Sequence, residues 1–290
     1  MSKKQSDDVK PWWKTRLDKI IYLAIFSGVI LLYPGANIYT QIKDAGRPLL
    51  PKLSIPIPSP APYPVNIVGV YPGQEITAEG IVILDVDSGV YLFKRNEEES
   101  LSPASTTKIL TALVALDAYS LDDVVTVKEV ANSGQTMGLV PGERISVENL
   151  LYGALIHSGN DAAWALAAHF EGGREKFIDA MNQKAQALHL TKSHFTNPVG
   201  YDDPNHKMTP LDLSRLASVA LQNKIIAKMV AIPQITISDV THTYFHQLKN
   251  VNQLLGKIPG VGGIKTGWTE EAGENLVTLV ERNGHRAILV

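Results

Sequence analysis

The chain has 290 residues, of which 44% are hydrophobic and 19% charged, a balance typical of a folded protein with a substantial core. Its formal net charge is -2 and its densest cluster of Lys and Arg lies in the first twenty residues, which argues against a nucleic-acid-binding surface. The sequence contains no cysteine, which excludes a cysteine nucleophile, a thiolate metal site and a disulfide framework, and agrees with export to an oxidising compartment.

The N-terminal part is predicted to attach the chain to a membrane. A basic segment over 1–19 precedes an apolar run that begins at Ile20 and, counted to Tyr39, reaches the lower limit of about 20 residues for a crossing helix. We expect the basic residues in the cytoplasm and residues 20–39 to be an uncleaved anchor, with a cleaved signal segment as the alternative. Residues 40–74 include a proline-rich tract, which favours polyproline II and predicts a stiff spacer.

Residues 75–290 are predicted to form an α+β domain. The β-rich runs 81–84 and 90–93 flank a turn-forming segment and predict an antiparallel hairpin, and Asn283-Gly284 predicts a second hairpin turn. Strands at both ends with helices between them predict one mainly antiparallel sheet, built from both ends of the domain around a helical insertion. The helical patterns cover 106–119, 147–156, 161–170, 176–188 and 209–222, and the last strand patterns cover 262–266, 275–282 and 286–290.

Three short motifs carry the candidate chemistry. Ser105 and Lys108 are three residues apart, so in a helix they share one face, and an amine beside a hydroxyl can activate a serine without a histidine. Residues 158–160 read Ser-Gly-Asn between two helical patterns, and residues 265–267 read Lys-Thr-Gly in a strand pattern. Each motif alone is weak, but their order along the chain is that of a known group of serine enzymes.

The motifs and their neighbours resemble the D-alanyl-D-alanine carboxypeptidase family, the low-molecular-weight penicillin-binding proteins. The resemblance covers about residues 75–290 and includes Pro-Ala-Ser-Thr-Thr-Lys over 103–108 and Ser-Gly-Asn-Asp-Ala-Ala over 158–163. It also includes Thr-Asn-Pro-Val-Gly-Tyr-Asp-Asp over 196–203 and Gly-Ile-Lys-Thr-Gly-Trp-Thr over 263–269. It implies the transpeptidase fold shared with β-lactamases.

The resemblance implies serine acyl transfer on peptides that end in D-Ala-D-Ala. Ser105 is then the nucleophile and Lys108 its base, with a pKa lowered by desolvation and by the nearby cation of Lys265. Ser158 is expected between the two lysines, where it passes a proton to the departing amine. Asn160 is expected to bind the substrate amide.

The Lys-Thr-Gly strand is expected to hold the other end of the substrate. Lys265 and Thr266 would bind the terminal carboxylate, and the backbone N–H groups of Ser105 and Trp268 would form the oxyanion hole. The small Gly267 would let the peptide pair with the strand edge. No cofactor and no metal is expected, because the histidines lack the spacing of a zinc site.

The expected partners are peptidoglycan stem peptides, β-lactam antibiotics as inhibitors, and a membrane through the N-terminal segment, with no nucleic acid. The expected location is the cell membrane, as a single-pass protein with an extracytoplasmic catalytic domain. The sequence ends at Val290 inside a strand pattern, where relatives complete the strand and add a helix, so a fragment or a truncated protein is expected.

Three alternatives stay open. A class A β-lactamase shares the serine and both lysines, but no Glu-x-x-Leu-Asn motif lies between Asn160 and Lys265. A D,D-endopeptidase would use the same site on a cross-linked substrate, and a catalytically silent relative would bind the cell wall. Polar residues outside the motifs are interpreted as structural, in turns or near a helix start: Asn197, Asp202, Asp203, Glu143 and Glu148.

Overall fold

The computed structural model describes residues 12–32, 62–67, 69, 73, 75–130 and 133–290. The chain divides into two units, Met1–Ser59 and Pro60–Val290. In the first unit, the described residues form helix α1, Trp12–Leu32. Large apolar side chains between Leu17 and Leu32 are exposed along this helix. None of the helices in the described ranges combines the length and the apolar character needed to cross a bilayer.

The predicted transmembrane helix over 20–39 is therefore not confirmed. Helix α1 begins before the predicted segment, so Arg16, Asp18 and Lys19 lie inside the helix. Its apolar part, from Ile20 to Leu32, is roughly 20 Å long, against about 30 Å for a bilayer core. Residues 33–39 and most of the predicted spacer lie outside the described residues.

The second unit contains a five-stranded antiparallel sheet with strand order β2-β1-β9-β8-β7. Strand β1 therefore lies beside the last strand of the chain, which confirms a sheet built from both ends of the domain. Two further sheets have two strands each, β3 with β4 and β5 with β6. The described strands are β1 Ile81–Asp85, β2 Tyr91–Arg95, β3 Val124–Thr126, β4 Arg144–Ser146, β5 Gln234–Ser238, β6 Phe245–Lys249, β7 Val261–Thr269, β8 Gly273–Arg282 and β9 His285–Leu289.

Both predicted hairpins form. Strands β1 and β2 pair antiparallel, with Gly89 at a φ of 71° in the connection. Strands β8 and β9 are joined by Asn283 and Gly284, whose φ values of 51° and 76° are those of the tight two-residue turn that Asn-Gly favours. Local turn chemistry is sufficient to place these two hairpins.

The helices surround α2, whose first eight residues are all buried. Helices α3, α4, α5 and α6 pack on α2, while α6 also contacts β1, β8 and β9 and α7 contacts β7. The helix that follows the candidate serine is thus the centre of the core. The described helices of this unit are α2 Lys108–Ala118, α3 Val147–Leu155, α4 Asn160–His169, α5 Gly173–Ala187, α6 Pro210–Gln222 and α7 Lys224–Val230.

Side-chain caps fix where three of these helices begin. Ser146 accepts a hydrogen bond from the backbone of Asn149 at the start of α3, and Thr209 accepts one from Asp212 at the start of α6. Asn223 caps α7 in the same way. Such caps satisfy backbone N–H groups that have no partner within the helix.

Glu143 has a structural role, as expected, but its partner is a histidine rather than a helix end. Its side chain is 2% exposed and lies 2.7 Å from Nε2 of His246, while Nδ1 of His246 lies 3.1 Å from the carbonyl oxygen of Met137. The pair joins the segment before β4 to strand β6, so it links the two small sheets that the sequence patterns had not indicated. Glu148, in contrast, lies in the first turn of α3 as expected.

Candidate active site

Residues Ala104–Thr107 form a single 3-10 turn, and α2 begins only at Lys108. Ala104 has a φ of 46°, a conformation that a residue other than glycine keeps only where its surroundings impose it. The turn places Ser105 Oγ 2.8 Å from Lys108 Nζ. The hydroxyl and the amine that the three-residue spacing paired are therefore in direct contact.

Lys108 is 0% exposed. Burial, and secondly the charge of Lys265, lower the pKa of Lys108 well below its ordinary value, against an opposing effect of Asp161. Its Nζ also lies 2.9 Å from the carbonyl oxygen of Val199. Because a carbonyl oxygen only accepts, it binds one N–H of Lys108, so that in the neutral form of the amine the lone pair is available to Ser105.

The loop that carries the Val199 carbonyl is held by Asn197. The Oδ1 atom of Asn197 accepts hydrogen bonds from the backbone of Gly200 at 2.8 Å and of Tyr201 at 3.0 Å. Gly200 has a φ of 90°, and a Cβ atom there would overlap the carbonyl oxygen of Ala104. Only glycine allows the loop to approach the turn that carries Ser105 so closely.

Asp203 stabilises its turn as predicted, by accepting from the backbone of Asn205 at 2.7 Å. Asp202 does not act within its own loop. It accepts from the hydroxyl of Thr269 at 2.5 Å and from the backbone of Glu271 at 3.4 Å. Asp202 therefore ties this loop to the end of β7.

Ser158 lies between α3 and α4 with a φ of 61°, a second strained position. Its Oγ is 2.8 Å from Nζ of Lys265, which also donates to the Thr266 carbonyl at 2.7 Å. Lys265 is 1% exposed, and burial lowers its pKa to about 7. Within the described residues Ser158 has no hydrogen bond to Lys108, so the predicted bridge between the lysines forms on one side only.

Asn160 is 6% exposed and begins α4. Its Nδ2 donates to the carbonyl of Ser133 at 2.8 Å, and its backbone N–H donates to Gln135 at 2.7 Å. The hydroxyl of Tyr201 lies 3.1 Å from the same Ser133 carbonyl. Ser133 and Tyr201, to which the sequence analysis assigned no role, thus position Asn160.

Asp161 was also missed by the sequence analysis. It is fully buried, and its carboxylate accepts hydrogen bonds of 2.9–3.0 Å from the backbone of Met137, Gly138 and Leu139. These bonds hold the segment that follows Gln135, a residue that lines the cleft described below. The position of Asp161 directly after the Ser-Gly-Asn motif was the sequence signal that could have identified it.

Strand β7 is the last strand in the sheet order and passes directly beside the serine. A Cβ atom at Gly267 would lie 2.8 Å from the backbone nitrogen of Ser105, so the glycine permits this approach. Trp268, one residue further, is 67% exposed. The backbone of β7 is therefore available to a bound chain beside Ser105.

A cleft of about 1160 Å³ runs between β7 and the segment that begins at Ser133. The two candidate lysines lie buried beneath it, in contact with lining serines. The structure thus brings all eight predicted residues to one place. The predicted residues that line the cleft are Ser105, Ser158, Asn160, Thr266, Gly267 and Trp268.

This site and fold agree with comparisons to known proteins. The sequence profile of the D-alanyl-D-alanine carboxypeptidase family of peptidases matches residues 68–290. The chain belongs to this family. The second unit has the α+β, penicillin-binding-protein-like fold with an antiparallel sheet.

Individual relatives show the same affiliation. The D-alanyl-D-alanine carboxypeptidase DacF of Bacillus subtilis is 36% identical over 220 residues, which are 73% of this chain and 56% of that protein. DacB2 of Mycobacterium tuberculosis is 35% identical over 230 residues, 78% of either chain. The crystal structure of the Streptomyces K15 DD-transpeptidase has a TM-score of 0.69 at 34% identity, covering 73% of this chain and 88% of that one. This chain thus spans little more than half of its Bacillus relative.

Proposed function

We propose that the chain is a serine D-Ala-D-Ala carboxypeptidase, which removes the terminal D-alanine from peptidoglycan stem peptides and is acylated by penicillin. The contact between Ser105 Oγ and the buried amine of Lys108 at 2.8 Å carries this proposal. A lysine kept neutral beside a serine can accept its proton near neutral pH, as a general base must.

In the acylation step, Ser105 Oγ transfers its proton to Lys108 Nζ and attacks the carbonyl carbon of the penultimate D-alanine. The backbone N–H groups of Ser105 and Trp268 bind the resulting oxyanion, an interaction that typically contributes about 3 kcal/mol. The Val199 carbonyl keeps its hydrogen bond to the Lys108 ammonium while the negative charge develops.

The tetrahedral intermediate collapses when the C–N bond breaks and the amine of the terminal D-alanine gains a proton. Ser158, whose hydroxyl contacts Lys265 before the substrate binds, supplies this proton, and the Lys108 ammonium replaces it once the two groups come into contact in the substrate complex. Water then attacks the Ser105 ester and transfers a proton to the neutral Lys108. Lys108 gives this proton to Ser105 Oγ as the ester bond breaks, and the shortened peptide is released. The charge of Lys265, with Thr266, binds the substrate carboxylate throughout.

The test is intact-mass spectrometry of the purified chain with time after addition of benzylpenicillin, followed by peptide mapping. We expect a long-lived adduct on Ser105, and release of D-alanine from a peptide ending in D-Ala-D-Ala. A folded chain that forms no adduct and releases no D-alanine would show a silent relative.

Two other outcomes identify the remaining alternatives. An adduct that turns over rapidly with hydrolysis of the drug would indicate a β-lactamase. Cleavage of cross-linked peptide dimers in preference to monomeric stem peptides would indicate a D,D-endopeptidase. Both outcomes keep Ser105 as the nucleophile and change only the substrate.

Loss of the positive charge of Lys265 is expected to weaken substrate binding above neutral pH. Its pKa is about 7, so the ammonium that binds the carboxylate is lost as the pH rises through this value. Between about pH 6 and 9, we expect the KM for a peptide with a free terminal carboxylate to rise roughly 10-fold or more. The same peptide with an esterified terminus is the control and should show a nearly constant KM. A constant KM for the free acid would remove Lys265 as the counter-charge.

We also propose that residues 20–39 hold the chain at the cell membrane, with residues 75–290 outside the cytoplasm. The basic segment before Ile20 and the exposed apolar side chains of α1 support this location. Proteolysis of bacterial spheroplasts from outside should degrade the catalytic domain, and alkaline carbonate should leave the chain in the membrane fraction. Recovery of the intact chain in the carbonate supernatant would contradict the anchor.

A further inference from the structure

His206 lies between the catalytic turn, residues Ala104–Thr107, and the loop over 196–201. It is 1% exposed, and its ring packs edge-to-face on Phe195 with centroids 5.4 Å apart. Its Nε2 lies 2.8 Å from Oγ1 of Thr107, and its Nδ1 lies 3.0 Å from the backbone nitrogen of Thr196. One imidazole therefore contacts both the turn and the loop.

The hydrogen-bond partners assign one tautomer to this ring. Because a backbone N–H only donates, Nδ1 of His206 accepts from Thr196 and carries no proton. The proton of the neutral ring is then on Nε2 and is donated to Thr107 Oγ1. Burial lowers the pKa of His206 to about 4, so the ring stays neutral near neutral pH.

The contacts of His206 lead to Lys108 on both sides. On one side, Thr107 is fully buried and directly precedes Lys108 in the chain. On the other, Asn197 Nδ2 lies 3.3 Å from His206 Nδ1, and Asn197 holds the loop whose Val199 carbonyl accepts from Lys108. The path from His206 through Thr107 and Lys108 to Val199, and back through Asn197, is therefore closed.

We propose that His206 is a positioning residue for acylation: it joins the catalytic turn to the loop carrying the Val199 carbonyl, and so directs the Lys108 lone pair to Ser105. The proposal rests on the proposed function, because it assigns a role within the acylation step. A second link, from Thr111 Oγ1 to the Pro198 carbonyl at 2.6 Å, holds the loop to α2. This hydrogen bond reaches α2 rather than the turn over 104–107, whereas the hydrogen bond from His206 to Thr107 reaches the turn itself.

Two substitutions break the link from opposite ends. His206→Asn keeps an acceptor near Nδ1 and removes the Nε2 donor, while Thr107→Val keeps the side-chain shape and removes the acceptor. We expect each variant to acylate with benzylpenicillin about 10-fold more slowly or worse per titrated active site, since small misplacements of catalytic groups have effects of this order. The double variant should be no slower than the slower single variant, because both remove the same contact.

Acylation rates are measured as a function of pH, for these variants and for a matched control. Loosening of the turn should admit water to Lys108 and weaken the burial that lowers its pKa, so the acid limb of the rate profile moves to higher pH. His169→Asn, the same change at an exposed position at the end of α4, should leave rate and profile unchanged.

The outcomes separate a positioning role from structural support. Variants with a lower folded fraction but an unchanged rate per active site and an unchanged pH profile would overturn the proposal. If His206→Asn does not fold, the nearly isosteric Thr107→Val decides by the same criteria. A wild-type chain that is folded yet not acylated would overturn the proposed function and this inference together, whereas normal wild-type acylation with unaffected variants overturns only the inference.

Discussion

Replacement of Ser105 by alanine is expected to abolish both acylation by benzylpenicillin and release of D-alanine. The variant removes the only atom of the site that would form the covalent bond, and loss of a serine nucleophile typically costs roughly 10⁴-fold or more. The fold should be retained, because the Ser105 hydroxyl makes its hydrogen bond to Lys108 at the rim of the core and alanine introduces no clash. Intact mass, D-alanine release and thermal unfolding measure the three expectations.

The matched control is Ser120→Ala, which removes a hydroxyl beyond the other end of α2. Its acylation and release should equal those of the wild type. Continued D-alanine release by the Ser105 variant, at a rate above that of a mock preparation, would assign the nucleophile to another residue.

The second large effect is expected for Lys108→Met. Methionine has a similar length and no lone pair for the serine proton, so acylation should fall by about 10²–10⁴-fold, the usual contribution of a general base. Stability should change little. Removal of a buried amine is favourable, whereas the Val199 carbonyl loses its partner, and both effects are of order 1–3 kcal/mol.

Activity and stability are thus expected to separate in this variant. Stopped-flow acylation and thermal unfolding measured on one preparation test the separation. Lys128→Met, at an exposed lysine, is the control and should leave both quantities unchanged. An acylation rate near that of the wild type would remove Lys108 as the base and direct attention to Lys265.

Sequence reasoning succeeded where the determinants are local. The spacing of Ser105 and Lys108 fixes their contact because one helical turn separates them, and Asn283-Gly284 fixes a hairpin because few other residues accept two positive φ angles. The order of the three motifs along the chain then predicted that they meet in one site. This prediction came from the family resemblance and not from the periodicity of the sequence.

Sequence reasoning failed where the role of a residue depends on contacts with residues that are distant in the chain. No pattern shows that the Val199 carbonyl meets Lys108, 91 residues away, or that His206 meets Thr107 across 99 residues. The pairing of Glu143 with His246 was missed for the same reason, since a lone acidic residue before a helix looks like a dipole partner. The 3-10 turn before α2 was missed because the local pattern is also that of an ordinary helix.

The two lysines buried beneath the cleft also couple folding to proton release. In an unfolded chain both amines would bind protons up to a pH of about 10.4, whereas in the folded chain Lys265 releases its proton near pH 7 and Lys108 well below its ordinary value. Between the folded-state and unfolded-state pKa values, the unfolded chain binds more protons than the folded chain. The contribution of these lysines to the free energy of unfolding therefore increases as the pH rises. A surface lysine paired with a carboxylate contributes in the opposite direction. Burial of these two amines therefore stabilises the native state increasingly as the solution becomes more alkaline, which is the reverse of the usual effect of a lysine in an ion pair.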